Sequence, residues 1–290
     1  MGTIDTVEHF SKVAKEGYVT ANNRRYHEYR FKAFNNLLPS QPKSLKIFDF
    51  GCGTADNIIT LSKAGHTLAG CDPSAEMITA AASKLKTAGI DPKVVHVGGV
   101  KAMADEKSGT YDVVMSQDVL PYMTDAEEDD FYKQARRIIK DTGVVIVSYV
   151  NPWVDLITFN RYTVEFWAEN ILPSVTKSAQ ERDELLQVLK SHITNPAIPV
   201  KGKDVVSEKD IFGQSRKRKD PISCQRDIEK KGFKVDSVEF THYFPMPPQY
   251  IENSEKYSKY VYEFEDAIRA QGNPIGYVLA SIYYVRMKKA

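Results

Sequence analysis

The chain has 290 residues, of which 42% are hydrophobic and 27% are charged, as in a globular protein of one large domain or one domain with an insertion. Lysine and arginine number 39 against 38 acidic residues, so no overall charge draws the molecule to nucleic acid or to a membrane surface. Cys52, Cys71 and Cys224 lack metal-ligand spacing, and the sequence has neither a signal peptide nor an apolar run of membrane-spanning length. We therefore expect a soluble, cytoplasmic protein that binds a small molecule, has free thiols and holds no metal. Whether it forms a homodimer is left open.

Short apolar runs alternate with helical patterns after residue 44. Five apolar runs predict buried strands, at 44–50, 67–72, 93–98, 111–118 and 143–150. Three intervening segments predict helices, at 57–65, 74–89 and 124–140. Such alternation is typical of a parallel sheet covered by helices on both faces.

Four segments follow from this rhythm. Residues 1–44, with the amphipathic stretch 22–38, predict an N-terminal helical lid, and 45–150 predict the cofactor-binding core. Residues 151–222 break the alternation with an aromatic-rich helical pattern and a basic loop, which indicates an inserted cap. Residues 223–290 predict a return to the core sheet through a helix, a strand at 234–244, a helix at about 250–271 and a last strand at 277–289.

The stretch IFDFGCGTAD at 47–56 joins the first strand to the first core helix through two glycines. Ligands of open α/β sheets bind at the carboxyl ends of the strands, where this loop lies. Asp72 ends the second strand and follows Gly51 by 21 residues, which suits a carboxylate that accepts from both hydroxyls of a ribose. The loop is therefore predicted to bind a ligand that contains a ribose.

Dinucleotides and S-adenosylmethionine both contain such a ribose. The dinucleotide fingerprint has a small residue where this chain has Asp56. That carboxylate would stand at the helix N-terminus, where a pyrophosphate must bind, and two anions are costly to place together there. S-adenosylmethionine brings positive charge, so the loop favours it.

The motifs FDFGCGTA, GCDPSAEMI, YDVVMSQDVLPYM and GVVIVSYV, with the glycine pair at 98–99, resemble those of class I S-adenosylmethionine-dependent methyltransferases. The similarity covers about 45–150, and the two final strands extend it to the C-terminus. It implies a Rossmann-like α/β fold with a seven-stranded, mostly parallel sheet and an antiparallel last strand. Ala55 departs from the pattern, because the family usually has a third glycine there.

The resemblance also implies which residues hold the cofactor. Gly51 and Gly53 would lie beneath its methionine part, Asp72 would bind the ribose, and residues after the third and fourth strands would border the adenine and the reactive methyl. The cofactor residues expected on this basis are Tyr18, Arg30, Asp49, Gly51, Cys52, Gly53, Asp72, Pro73, Met77, Gly99, Val100, Gln117, Asp118 and Val119.

The acceptor is predicted from weaker signals. The candidate bases are His27, His242 and Asp118, and they favour a hydroxyl slightly over an amine, because a hydroxyl gains from a group that takes its proton. A cap that walls off the strand edge indicates a small acceptor, such as a sugar or a secondary metabolite in biosynthesis. The candidate substrate residues are Tyr122, Tyr149, Trp153 and Tyr243.

Several alternatives stay open at this point. The chain could methylate protein or nucleic acid, could be a nicotinamide-dependent oxidoreductase, or could bind the cofactor without catalysis. The basic run at 215–220 is read either as a solvated loop or as a clamp for an acidic substrate.

Overall fold

The structure is a computed structural model. It describes residues 7, 8, 10–12, 14, 24–40, 44–159, 161–193, 198–200, 203–205, 217–247, 259–271 and 274–290.

The described strands form one large sheet and one hairpin. The strands of the sheet are β1 (Lys46–Phe50), β2 (Thr67–Asp72), β3 (Val95–Val97), β4 (Tyr111–Ser116), β5 (Ile139–Val150), β8 (Phe233–Tyr243) and β9 (Ala280–Lys289), and those of the hairpin are β6 (Ile198–Val200) and β7 (Lys203–Val205). The sheet order is β3-β2-β1-β4-β5-β9-β8. Within this described sheet, only β9 runs antiparallel to its neighbours, β5 and β8. This confirms the predicted seven-stranded, Rossmann-like fold with an antiparallel last strand.

The described helices connect and cover these strands. They are α1 (Arg24–Asn36), α2 (Asp56–Lys63), α3 (Ala75–Thr87), α4 (Val100–Met103), α5 (Asp125–Ile138), α6 (Arg161–Phe166), α7 (Leu172–Val175), α8 (Ala179–His192), α9 (Pro221–Lys230), α10 (Lys259–Gln271) and α11 (Gly276–Leu279). Short 3₁₀ turns occur at Pro92–Val94, Leu120–Tyr122 and Pro152–Ile157, and a π turn at Trp167–Ile171. Residues 7, 8, 10–12 and 14 are also helical.

Three predicted strands begin later than the sequence indicated: β1 starts at Lys46 instead of residue 44, and β3 and β9 start late because a turn precedes each. Pro92 opens a 3₁₀ turn in which the Asp91 carboxylate accepts from the Lys93 N–H, so β3 starts at Val95. Gly276–Leu279 forms a helical turn, in which the Leu279 N–H donates to the Ile275 carbonyl, so β9 starts at Ala280. In both places local hydrogen bonds close a turn in a run whose apolar residues predicted a strand.

The sheet is the middle of three layers because its central strands are apolar on both faces. In β5, Val145 and Val147 pack in a cluster with α5 and α9, whereas Val144 and Ile146 pack with α1, α2 and α3. Side chains alternate between the faces of a strand, so a continuous apolar run indicates a strand that is covered twice. The carboxyl ends of the parallel strands therefore form one open edge between helical layers.

Side-chain caps fix where two of the helices begin. Ser74 Oγ accepts a hydrogen bond from the Met77 N–H at the start of α3. Thr124 and Glu127 form a reciprocal capping box at the start of α5. This places the acidic run 125–130 at a helix N-terminus, where negative charge complements the helix dipole.

The described part of the basic run is paired within the chain. Lys217 and Lys219 each donate to the Glu128 carboxylate at 2.6 Å, and Arg218 pairs with Asp155. Burial by itself would raise the pKa of Glu128, but the hydrogen bonds from Lys217 and Lys219 outweigh it and keep the pKa below its usual value. Within residues 217–219, the structure thus shows intramolecular ion pairs in place of a clamp for an acidic substrate.

We expect Glu128→Ala to lower the free energy of unfolding by about 2 to 3 kcal/mol, because it leaves two partly buried lysines without their carboxylate. Urea denaturation at pH 7 measures this loss. Asp125→Ala is the matched control, because Asp125 contacts the same Lys217 at 3.0 Å from a side chain that is 90% exposed. The control should change stability by less than about 0.5 kcal/mol. Equal losses in the two variants would contradict the assignment.

Candidate active site

A cavity of about 730 Å³ opens at the carboxyl ends of β1, β2 and β4. This volume lies within the range of small-molecule and cofactor sites. The structure brings together twelve of the fourteen predicted cofactor residues in its lining: Arg30, Gly51, Cys52, Gly53, Asp72, Pro73, Met77, Gly99, Val100, Gln117, Asp118 and Val119. Of the other two, Asp49 lies beneath the loop, and Tyr18 lies outside the described residues.

Gly51 allows the loop after β1 to pack directly on the loop after β4. Its φ is +77°, and a Cβ built on it would lie 2.2 Å from Cγ2 of Val119. At Gly53, with φ +53°, an added Cβ would meet no atom within 4 Å. The first glycine therefore permits contact between two loops, and the second leaves backbone exposed to a ligand.

Ala55 takes a left-handed conformation, with φ 63°, at the position where the resemblance expected a third glycine. Its side chain is fully buried. An L residue in this conformation costs about 1–2 kcal/mol relative to the right-handed one. The backbone of the glycine pattern is thus retained, although the residue departs from it.

Asp72 ties the glycine loop to the turn before α3. One carboxylate oxygen accepts from the Gly53 N–H at 3.0 Å, and the other accepts from the Ser74 N–H at 2.9 Å. Burial raises the pKa of Asp72, and these two hydrogen bonds oppose the shift. A carboxylate has about four acceptor positions, so each oxygen keeps capacity for one more hydrogen bond.

Asp49 is 1% exposed, and its Oδ2 has no hydrogen-bond partner among the described residues. Burial raises its pKa to about 7, and the negative charge of Asp72 adds to the shift. This group is therefore a buried acid that titrates near neutral pH directly below the glycine loop. A positive charge brought close to it would favour its ionised form.

Asp118 and Arg30 meet at the wall formed by the loop after β4. Asp118 has a left-handed backbone, with φ 60°, and its carboxylate lies 3.6 Å from Nη1 of Arg30. The Arg30 side chain is 5% exposed and lies 5.5 Å from the centre of the Tyr26 ring. Helix α1 therefore delivers a buried cation to the end of β4.

The N-terminal helical residues line the cavity and contact two of the loops that form it. Ser11 Oγ donates to Glu76 at 2.7 Å and lies 3.0 Å from Ser74 Oγ, next to Asp72. The Phe10 ring meets the Tyr122 ring edge to face, with 5.4 Å between their centres. These contacts join the loop after β2 to the loop after β4 across the opening.

The two histidines differ in access to the cavity. His27 lines it, and burial together with the charge of Arg30 lowers its pKa to about 4. His242 is 3% exposed and does not line it; its Nε2 lies 3.1 Å from the Tyr26 carbonyl, and its ring stacks on Tyr26. Burial and then Arg30 lower the pKa of His242 to about 3. Both imidazoles are therefore neutral at pH 7.

Three of the four predicted substrate residues also lie away from the cavity, whereas Tyr122 lines it. Tyr149 is buried in the core, where its hydroxyl donates to Glu128. Tyr243 packs against Gly276, and the Trp153 ring lies 6.1 Å from that of Tyr277. An aromatic residue near the end of a strand can turn to either face of the sheet, and the sequence pattern did not show which.

The cavity also includes residues that sequence reasoning did not select. They are Val7, Glu8, Phe10, Ser11, Phe50, Thr54, Asp56, Asn57, Ser74, Glu76, Met123 and Glu127. Most lie within three positions of a motif residue, so adjacency could have indicated them. The four from the N-terminal helix carry no local signal, because only the tertiary fold brings them over the strand edge.

Comparisons with known proteins agree with this geometry. A family model described as a methyltransferase domain matches residues 47–143. A ubiquinone biosynthesis O-methyltransferase of Rhizobium johnstonii is 26% identical over an alignment of 204 residues, and the match covers 64% of this chain and 78% of the relative.

The chain carries a class I S-adenosylmethionine-dependent methyltransferase domain. An S-adenosylmethionine-dependent methyltransferase of Archaeoglobus fulgidus has the same fold, with a TM-score of 0.54 and 13% identity over 92% of this chain and 94% of its own. So does the magnesium protoporphyrin IX methyltransferase of Synechocystis with bound S-adenosylhomocysteine, with a TM-score of 0.51 and 12% identity over 98% and 93%.

The residues of the methyltransferase site fit its cofactor on three observations. Asp72 keeps acceptor capacity for ribose hydroxyls, Gly53 leaves open backbone, and Asp49 is a buried acid with an unpaired oxygen that suits a cationic ligand.

In the described part of the methyltransferase, no helix is long and apolar enough to span a membrane.

We expect Gly51→Ala to destabilise the methyltransferase by about 2 to 4 kcal/mol, from left-handed strain and the Val119 contact together. It should also weaken S-adenosylhomocysteine binding by more than about tenfold, because the two loops must separate. Gly89→Ala is the control: Gly89 has the same φ of +77°, and an added Cβ would meet nothing within 4 Å. The control should lose about 1 kcal/mol and keep its affinity. Urea unfolding and calorimetric titration measure both quantities, and equal effects would contradict the role of the contact.

The raised pKa of Asp49 predicts a pH-dependent effect of Asp49→Asn. Between about pH 4 and pH 7 the folded state holds a proton that the unfolded state has lost, so this group lowers stability as the pH rises. The unfolding free energy of Asp49→Asn minus that of wild type should therefore be larger at pH 8 than at pH 5. Asp112→Asn is the control, since hydrogen bonds from Lys140 and Lys46 outweigh burial and lower the pKa of Asp112. Its change in unfolding free energy should be the same at both pH values; the same result for Asp49→Asn would argue against a raised pKa.

Proposed function

We propose that the chain transfers a methyl group from S-adenosylmethionine to a hydroxyl group of a small molecule. The observation that carries this proposal is the covered cavity, in which N-terminal residues bridge the strand edge by the Ser11–Glu76 and Phe10–Tyr122 contacts. These N-terminal residues, around Phe10 and Ser11, form a roof across the opening. A covered opening suits a compact acceptor better than a polymer. The Rhizobium johnstonii relative named above is an O-methyltransferase of ubiquinone biosynthesis, which supports oxygen as the acceptor atom.

The support for a small acceptor comes from the N-terminal helical residues. The sequence analysis had instead inferred a small acceptor from the cap at 151–222. Among the described residues of 151–222, none lines the cavity. We retain the lid as the proposed role of the N-terminal residues. The described part of 151–222 is instead attached beside the sheet by Lys217 and Lys219, which pair with Glu128, and by Asn151, whose side chain donates to the Ala280 carbonyl.

When bound, the cofactor would supply a methyl group on a positively charged sulfur. That sulfur is the leaving group when the acceptor takes the methyl group. The residues of the chain then have three tasks: Asp72, Gly51 and Gly53 hold the cofactor, the roof excludes water, and a base takes the acceptor proton. We assign the base to Asp118, whose carboxylate lines the cavity beside Arg30. His27 also lines the cavity and is the alternative base.

The test is a methyl-transfer screen with isotopically labelled S-adenosylmethionine and hydroxylated aromatic compounds, sugars, amines, a peptide and transfer RNA. We expect a methyl ether of one hydroxylated small molecule. Transfer only to an amine would overturn the hydroxyl assignment, and transfer only to the peptide or RNA would overturn the small-molecule assignment.

With that acceptor, Asp118→Asn should lower kcat by about 100-fold or more, and His27→Gln by less than about tenfold. Trp153→Phe, outside the cavity, should leave kcat and KM unchanged. Steady-state kinetics of the three variants decide between the bases. A larger loss for His27→Gln than for Asp118→Asn would transfer the role to the histidine.

A further inference from the structure

The loop after β4 is supported by two side chains that do not line the cavity. Ser148 Oγ accepts a hydrogen bond from the Asp118 backbone N–H at 2.8 Å. The Tyr284 hydroxyl donates to Oε1 of Gln117 at 3.2 Å. Ser148 is 2% exposed and Tyr284 is fully buried, so both act from within the protein.

Ser148 and Tyr284 are a registered pair of neighbouring strands, β5 and β9. Directly opposed residues of antiparallel strands point to the same face with their Cβ atoms about 5 Å apart. Tyr284 belongs to the core cluster on the α1–α3 face, and Tyr283 belongs to the cluster on the other face. The pair therefore supports adjacent residues of one loop from one position in the sheet.

Asp118 needs this support because of its backbone conformation. Its φ of 60° is uncommon for a residue with a side chain and persists only where the surroundings hold it. The hydrogen bond to Ser148 satisfies the N–H of this residue inside the protein. It thereby fixes the direction in which the Asp118 carboxylate leaves the loop.

Gln117 needs the hydrogen bond from Tyr284 because its amide can present either the oxygen or the nitrogen to a ligand. With Oε1 bonded to Tyr284, the buried Nε2 has no hydrogen-bond partner among the described residues. Gln117 lines the cavity. A buried amide donor is rarely left unpaired, so Nε2 is suited to an acceptor atom of the ligand.

We propose that Ser148 and Tyr284 are positioning residues of the methyltransferase: Ser148 sets the Asp118 backbone, and Tyr284 orients the Gln117 amide so that Nε2 donates to an oxygen or nitrogen of the bound ligand. This inference rests on the proposed assignment of the cavity as the cofactor site. It adds two residues that are remote from the ligand to those that determine its affinity.

Tyr284→Phe removes one hydroxyl and keeps the ring. We expect it to weaken S-adenosylhomocysteine binding about 5- to 10-fold in calorimetric titration, as for the loss of one oriented hydrogen bond. Tyr283→Phe is the matched control: Tyr283 is the adjacent residue, is also fully buried, and donates to the Lys219 carbonyl at 2.9 Å, away from the cavity. The control should lower the melting temperature without a change in affinity.

Ser148→Ala should weaken binding to a similar extent, and Ser148→Thr, which keeps the hydroxyl, should restore most of the affinity. Ser116→Ala is the control, because Ser116 is fully buried next to Gln117 and its hydroxyl has no partner in the described part of the chain. Affinities are compared well below each melting temperature, so that stability losses do not enter the result.

The outcomes separate the inference from the function on which it rests. If wild type binds S-adenosylhomocysteine and Tyr284→Phe binds equally well, the positioning role of Tyr284 is overturned while the cofactor site stands. The same holds for Ser148 if Ser148→Ala binds like wild type, if Ser148→Thr does not recover, or if the controls lose as much affinity. Absence of binding to wild type would overturn the cofactor site itself and the inference with it.

Discussion

The site depends on a close approach of two loop backbones that a side chain would prevent. Gly51 has no Cβ, so Val119 from the loop after β4 occupies the space beside it. The Gly51 and Cys52 N–H groups both donate to the Cys71 carbonyl, which ties the same loop to β2. Three strand ends thus form one packed edge, and residues far apart in the chain face a single cavity.

Charge pairing within the chain explains segments that look like ligand sites in the sequence. The acidic start of α5 and the basic residues 217–219 are separated by about ninety positions, yet Glu128 receives both Lys217 and Lys219. The Lys217 N–H also donates to the Pro121 carbonyl, beside the cavity residue Tyr122. The ion pairs therefore hold residues 217–219 against the loop that forms one wall of the site.

Helix α1, which contributes His27 and Arg30 to the cavity lining, is anchored by the C-terminal part of the chain. Tyr29 and Lys32 of α1 both bond the Asp266 carboxylate of α10 at 2.7 Å, while Arg30 points inward to Asp118. His242, at the end of β8, supports the same helix by stacking on Tyr26. Histidine is often used for proton transfer, but His242 is neutral at pH 7 and packs against Tyr26, because burial and the charge of Arg30 lower its pKa to about 3.

The sequence by itself determined the sheet, its glycine loop and the acid that ends β2. Continuous apolar runs must be buried on both faces, and the glycines and Asp72 act through backbone geometry close to them in the chain. Only the tertiary structure decided that His242, Tyr149, Trp153 and Tyr243 lie outside the cavity, that none of the described residues of 151–222 lines it, and that residues 217–219 are paired within the chain. Those outcomes depend on which face a side chain takes and which distant partner it meets. Neither property has a local pattern in the sequence.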